Sequence, residues 1–138
     1  MQISLDNPAS APAPLSPYYT QVARIELPGG GALLQLSGQV AEGSDLAAQS
    51  RGIFEALDAL LKAHGATLAD IINIRTYLTD IDRLHEYGEV RRAYLTGTPP
   101  TSTTVEVSKL FLPWALIEVE VVAAVAAEGV KEGVTEKK

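Results

Sequence analysis

Ile71-Ile72-Asn73-Ile74-Arg75-Thr76-Tyr77-Leu78-Thr79-Asp80-Ile81-Asp82 is the most informative stretch of the chain. Its first nine residues alternate with the period of a strand. Ile72, Ile74, Thr76 and Leu78 fall on one side, and Ile71, Asn73, Arg75, Tyr77 and Thr79 on the other. The period then changes. Asp80 and Asp82 are helix-starting residues, and Leu84, Tyr87, Val90, Ala93 and Tyr94 recur at helical spacing over 83–95. Gly97 and Pro99-Pro100 stop that helix.

The pattern extends in both directions. Upstream, 22–27 and 32–40 read as strands joined by the Pro28-Gly29-Gly30-Gly31 turn. In the second of these, Ala32, Leu34, Leu36, Gly38 and Val40 share the core-facing side. Leu33, Gln35, Ser37 and Gln39 share a polar but uncharged side, suited to partial burial beside a pocket or a second subunit, or to ordinary exposure. A helix follows over 46–64, capped by Ser44 or Asp45 and ended by Gly65. Its apolar stripe is Leu46, Ile53, Phe54, Leu57, Leu60 and Leu61, with Gln49, Arg51 and Lys62 pointing elsewhere. Downstream, 101–107 and 115–125 are strands separated by a loop holding Phe111, Pro113 and Trp114. The order strand, strand, helix, strand, helix, strand, strand predicts an α+β domain with two helices on one face of a sheet. The other face then needs a cover, and at this length a second subunit is the simplest one.

The 138 residues suffice for one domain, placed at 18–128, after a Pro-rich extended arm at 1–17 and before a charged tail at 129–138. A formal net charge of -6 argues against nucleic acid. The absence of cysteine excludes disulfides, thiolate metal sites and cysteine nucleophiles. No apolar run is long enough to span a membrane, and the first residues lack the basic-then-apolar pattern of an export signal, so the expected location is cytoplasmic. The glycine turn at 29–31 lacks the spacing of a phosphate loop. His64 and His85 stand alone near helix ends without a ligand partner four residues on, so neither is expected to bind metal, and solvent-facing or helix-ending roles are expected of both.

The last two strands carry the acid groups. Leu116, Glu118, Glu120 and Val122 share one face of the final strand, and Ser102, Thr104 and Glu106 project together from the strand before it. Paired, these strands would gather three carboxylates on one side. Burial and a like charge raise a carboxylate pKa into the range useful for proton transfer. For Glu106 and Glu120 a structural partnership with Arg75 or another arginine is the preferred expectation. Periodicity does not separate Glu118 from them.

The ordered set Pro17-Tyr18-Tyr19-Thr20-Gln21, Ser37-Gly38-Gln39, Tyr77-Leu78-Thr79-Asp80, Pro99-Pro100, Val105-Glu106-Val107 and Ile117-Glu118-Val119-Glu120 resembles the Rid (YjgF) family of enamine and imine deaminases. The resemblance covers residues from Tyr18 to Ala124. It implies a chorismate-mutase-like sheet, a homotrimer with a barrel-like core, and small-molecule ligands in clefts between subunits. It also implies cofactor-free hydrolysis of an enamine or imine to a carbonyl compound and ammonia. By the same resemblance Glu118 positions the attacking water, Tyr19 assists proton transfer and Ser37 lines the cleft. Two positions depart. Ser102 stands where such deaminases carry an arginine that clamps a substrate carboxylate, and Gly88 stands where they carry an asparagine. Ser102 and Thr104 suit a neutral or hydroxylated group instead, and Arg75 is the first candidate for a replacement cation. A metabolite-binding or regulatory trimer, or a related water-dependent or tautomerising enzyme, is the alternative.

Overall fold

A computed structural model describes residues 1–127; the charged tail expected over 129–138 lies outside the described residues. Six strands form one sheet: β1 (Ile3–Asp6), β2 (Val22–Glu26), β3 (Ala32–Leu36), β4 (Ile71–Leu78), β5 (Thr101–Glu106) and β6 (Ile117–Val125). Two helices, α1 (Leu46–Lys62) and α2 (Leu84–Tyr94), complete the α+β fold. The order across the sheet is β1-β2-β3-β6-β4-β5, antiparallel except for the parallel β4–β5 pair.

α1 begins and ends where its sequence dictates, whereas Asp80 caps a short turn, Ile81–Arg83, and α2 follows it without a side-chain cap. The Asp45 side chain accepts the Ala48 N–H at 2.8 Å, satisfying a free donor of the first turn of α1. Gly65 ends the helix at φ 81, a left-handed conformation open to a residue without Cβ, and the Ala66 N–H closes back on the Leu61 carbonyl. The apolar stripe of α1 is buried as expected. Phe54 anchors it, with ring centroids 6.2 Å from Tyr87 and 5.2 Å from Tyr94 of α2. Truncating Phe54 to Ala would cost about 3–5 kcal/mol through lost burial and the cavity left behind. From α2 only Tyr87 and Val90 are buried; Leu84 and Ala93, expected on the inner side, are exposed. The Tyr87 hydroxyl shares a 2.7 Å hydrogen bond with Thr76, which reconciles that hydroxyl of β4 with its apolar surroundings.

Local irregularities move several expected residues. A register shift between Ile71 and Asn73 reverses the start of β4, so Ile71 is buried and Ile72 exposed. β3 ends at Leu36, before the expected 40, and the chain turns so that Gln39 points inward rather than outward with Gln35. Gln49 is buried on α1, where it was expected to point away. Its amide spans three backbone groups, donating to the Gly43 and Trp114 carbonyls and accepting the Leu116 N–H. The Pro-rich arm supplies β1, which pairs with β2 as the sheet edge.

The largest revision concerns the acidic strands. β5 pairs with β4, not with β6. In that register Ser102, Thr104 and Glu106 lie beside Ile74, Thr76 and Leu78, on the helix side of the sheet. Glu118 and Glu120 lie beside Tyr77 and Arg75, on the open side. The three carboxylates therefore do not share a face. Among the described residues of the chain neither Glu106 nor Glu120 hydrogen-bonds to an arginine, although Arg75 lies opposite Glu120 in register. Glu106 accepts the Ile81 N–H at 2.9 Å, and Glu120 accepts the Tyr77 hydroxyl at 2.8 Å. His64 sits just past the end of α1, one of the two roles expected of it, but it does not face solvent: its Nε2 lies 2.9 Å from Asp6 of β1, and Arg24 donates to its carbonyl. The helix end thus fastens the edge strand.

Candidate functional site

Glu118 opens β6 on the open side of the sheet, next to Tyr77 in register. Burial raises its carboxyl pKa above the ordinary range, and the charge of Glu120 two residues on raises it further. Tyr77 is raised as well, first by its hydrogen bond to Glu120, then by burial. Glu120 is thus engaged by a phenol, whereas Glu118 has no hydrogen-bonding side chain among the described residues.

The wall facing Glu118 is built by the turn after β3. Gly38 packs directly on the Glu118 carboxyl; a Cβ there would collide with Oε2 and stand 2.8 Å from Cδ. Gln39 fixes that turn. Its backbone exchanges two hydrogen bonds with Val119, 2.8 and 3.1 Å long. Its side-chain amide donates to the Ser37 carbonyl at 2.9 Å and to Oε1 of Gln21 at 2.8 Å. Both glutamines are nearly inaccessible, 2% exposed for Gln21 and 4% for Gln39. A buried amide pair is stable only when its donors and acceptors are matched, and this one links three segments. Neither amide was identified as a positioning group from the sequence. The signal was present in Ser37-Gly38-Gln39, but alternation assigned Gln39 to the wrong face.

The arm returns through Gln21. Its N–H donates to the Asn7 side chain, its amide to the Pro12 carbonyl, and its carbonyl accepts the Ser37 N–H. The Ser37 hydroxyl donates to the Thr20 carbonyl at 2.7 Å. Tyr19 is held by the Leu15 N–H, which donates to its hydroxyl oxygen at 2.8 Å and leaves the phenolic proton available to a ligand. Tyr18, the neighbouring alternative, is 93% exposed. The result is a depression of about 340 Å³ lined by Ser16, Tyr19, Ser37, Gly38, Phe111 and Glu118. That volume suits a small molecule. Phe111 borders the space without filling it.

Three of the expected site residues, Tyr19, Ser37 and Glu118, therefore meet in one chain. Ser102 and Thr104 do not join them, because they occupy the opposite face of the sheet on its edge strand. Gly88 lines a separate hollow with Arg91, Arg92, Pro99 and Pro100. Arg75 is exposed on the open face, in register with Glu120 and Thr103. Among the described residues no helix is long and apolar enough to cross a membrane.

Comparison with known proteins agrees with this construction. The family model described as endoribonuclease L-PSP matches residues 8–125. A RutC family protein of Saccharolobus solfataricus is 33% identical over 121 residues, covering 82% of this chain and 90% of its own. The structure of Rv2704 from Mycobacterium tuberculosis, a member of the YjgF/YER057c/UK114 family, superposes with a TM-score of 0.70 at 36% identity, covering 76% of this chain and 85% of that one. Escherichia coli TdcF, solved with bound serine, superposes with a TM-score of 0.75 at 25% identity over 90% of this chain and 99% of its own. The chain belongs to the YjgF/Rid/RutC family.

Proposed function

We propose that the protein hydrolyses a small enamine or imine to a carbonyl compound and ammonia, with Glu118 as the proton-transferring group. The observation that carries this reading is Glu118 itself. It is a partly buried carboxyl with a raised pKa, facing an open depression beside the hydroxyls of Tyr19 and Ser37. In the imine form, the Glu118 carboxylate accepts a proton from water as the water oxygen bonds to the imine carbon. The carboxyl returns that proton to nitrogen, which gives the carbinolamine; the carbinol O–H proton then passes through the Glu118 carboxylate to the same nitrogen as the C–N bond breaks, and carbonyl and ammonia leave. An enamine first takes a proton at carbon to enter the same path. The Tyr19 O–H holds the water or the departing nitrogen. The serine bound to TdcF supports a small polar ligand for this fold family.

The family description as an endoribonuclease is not carried to this chain. Its net charge of -6 and the acid that supplies the site's charge both oppose a phosphate backbone. Homotrimer assembly belongs to this reading too. Side chains on opposite faces of one sheet cannot converge, so Ser102, Thr104 and Gly88 would meet the Glu118 depression only from a neighbouring copy. Arg75 on the open face would then meet that copy. A metabolite-binding trimer without turnover is the second reading, favoured by Ser102 where the clamp would be.

The test is ammonia release from freshly generated 2-aminoacrylate and from enamines lacking a carboxylate, comparing wild type with Glu118→Ala. Release above the spontaneous rate that disappears in the variant supports the deaminase. No release from any of them, together with saturable ligand binding, selects the carrier.

A further inference from the structure

Phe111 borders two depressions at once. One is the Tyr19–Ser37–Glu118 site. The other, about 530 Å³, is lined by Thr79, Lys109, Leu112, Pro113 and Leu116 among others. Among the described residues, the sole acid across both linings is Glu118 and the sole cation is Lys109, and Phe111 is the residue that the two linings share. Lys109 is exposed and enters no ion pair among the described residues.

The loop that carries both side chains is pinned. The Val107 N–H bonds the Leu78 carbonyl at one end. At the other, Gln49 donates to the Trp114 carbonyl at 3.2 Å and accepts the Leu116 N–H at 2.9 Å. Phe111 is nonetheless 60% exposed. A ligand lying on this aromatic ring would cover apolar surface that now faces water.

We infer that the site takes a ligand with a flat apolar body that lies on Phe111 and a carboxylate that is held by Lys109, remote from the carbon presented to Glu118. The carboxylate of an ordinary 2-imino acid adjoins the reacting carbon; here the aromatic platform separates the two. The inference rests on the deaminase reading only for which carbon faces Glu118. Recognition of the body and the anion stands on Phe111 and Lys109 alone.

Non-reactive probes therefore test it apart from catalysis. Phenylpropanoate and its uncharged counterpart phenylpropanamide are titrated against the full chain, following the fluorescence of its single tryptophan, Trp114, and ligand-observed NMR. The acid is expected to bind about three- to five-fold more tightly at low ionic strength, the yield of an exposed ion pair, with the difference shrinking as salt is added. Lys109→Met is expected to abolish the preference while leaving amide binding unchanged, Lys109→Arg to restore it, and Phe111→Ala to weaken both probes. Equal binding of acid and amide, no saturable binding of either, or a preference that survives Lys109→Met overturns the inference. Glu118→Ala separates the two claims, since it is expected to stop turnover while retaining the acid preference.

Discussion

Replacing Gly38 by alanine tests the site with one added methyl. Its φ is not in the left-handed region, so the backbone accepts a side chain; the obstacle is the Glu118 carboxyl, with Cδ at 2.8 Å and Cγ at 3.0 Å from the new Cβ. The obstructing atoms belong to the end of a flexible side chain, so Glu118 swings away rather than the strand moving. Loss of glycine also restricts the unfolded chain, a stabilisation of about 0.4–1 kcal/mol that offsets part of the steric cost. Net stability is expected to change by less than about 1 kcal/mol in urea denaturation. Displacement of the reacting carboxyl by about 1 Å is worth on the order of 100-fold in rate. The direct assay is a carbon-13 NMR titration of the Glu118 carboxyl. Its pKa is expected to fall toward the ordinary range as the group leaves its half-buried seat. A Gly38→Ala protein with an unmoved Glu118 titration and unchanged turnover would refute the claim that this glycine seats the acid.

Glu118→Gln carries a pH signature. Because the folded-state pKa is raised, the stability tied to the Glu118 proton is full below the unfolded-state pKa and is lost as pH rises through the folded one. The variant is therefore expected to melt higher than wild type at neutral pH, with the gain fading on acidification; calorimetry across that range checks it. Gln49→Leu removes the clasp on three backbone groups and is expected to destabilise by about 2–4 kcal/mol in urea, since buried groups lose their partners. Ile25→Asp places a charge among Ile3 and Leu33 on the open side of the sheet, off the helix-packed core. It is expected to lower the mass measured by light scattering while leaving circular dichroism unchanged; an unaltered mass would remove this face from the proposed trimer contact.

The architecture was legible because hydrophobic period distinguishes strands from helices without knowledge of neighbours. Asp45, Gly65 and the α1 stripe stand where the sequence put them, since caps and amphipathic faces are local. What was not legible depended on pairing. Alternation says which residues share a face within β5 or β6, but not that β4 lies between them, and so Glu106 was grouped with Glu118. One extra residue near Ile72 and the early end of β3 reversed the faces downstream or upstream of each irregularity, as a period of two requires. Gln49 was read outward and Gln39 onto the face opposite the core, because neither the apolar stripe nor the alternation shows the partners of a buried amide. Those partners, Trp114 and Leu116 for one and Gln21 for the other, lie 65, 67 and 18 residues away in sequence.

The same geometry constrains how the site is completed. Glu118 projects from the open face and Ser102 from the helix face of one sheet, and a strand cannot turn a side chain through its own layer. A cleft that uses both must be assembled from two copies, with the edge strand β5 of one approaching the β3 turn of the other. β5 is suited to such an approach: as the outer strand it carries Thr101, Ser102 and Thr103 exposed, and Thr104 half-buried. The Glu118 side, by contrast, is held within the chain itself, because Gln21, Ser37 and Gln39 tie the arm to the turn around Gly38. In the proposed trimer, Ser102 in place of a clamp arginine would therefore alter the half supplied by the partner while leaving the Glu118 half intact. On that reading, a contact made from β5 could change while the chemistry at Glu118 is retained.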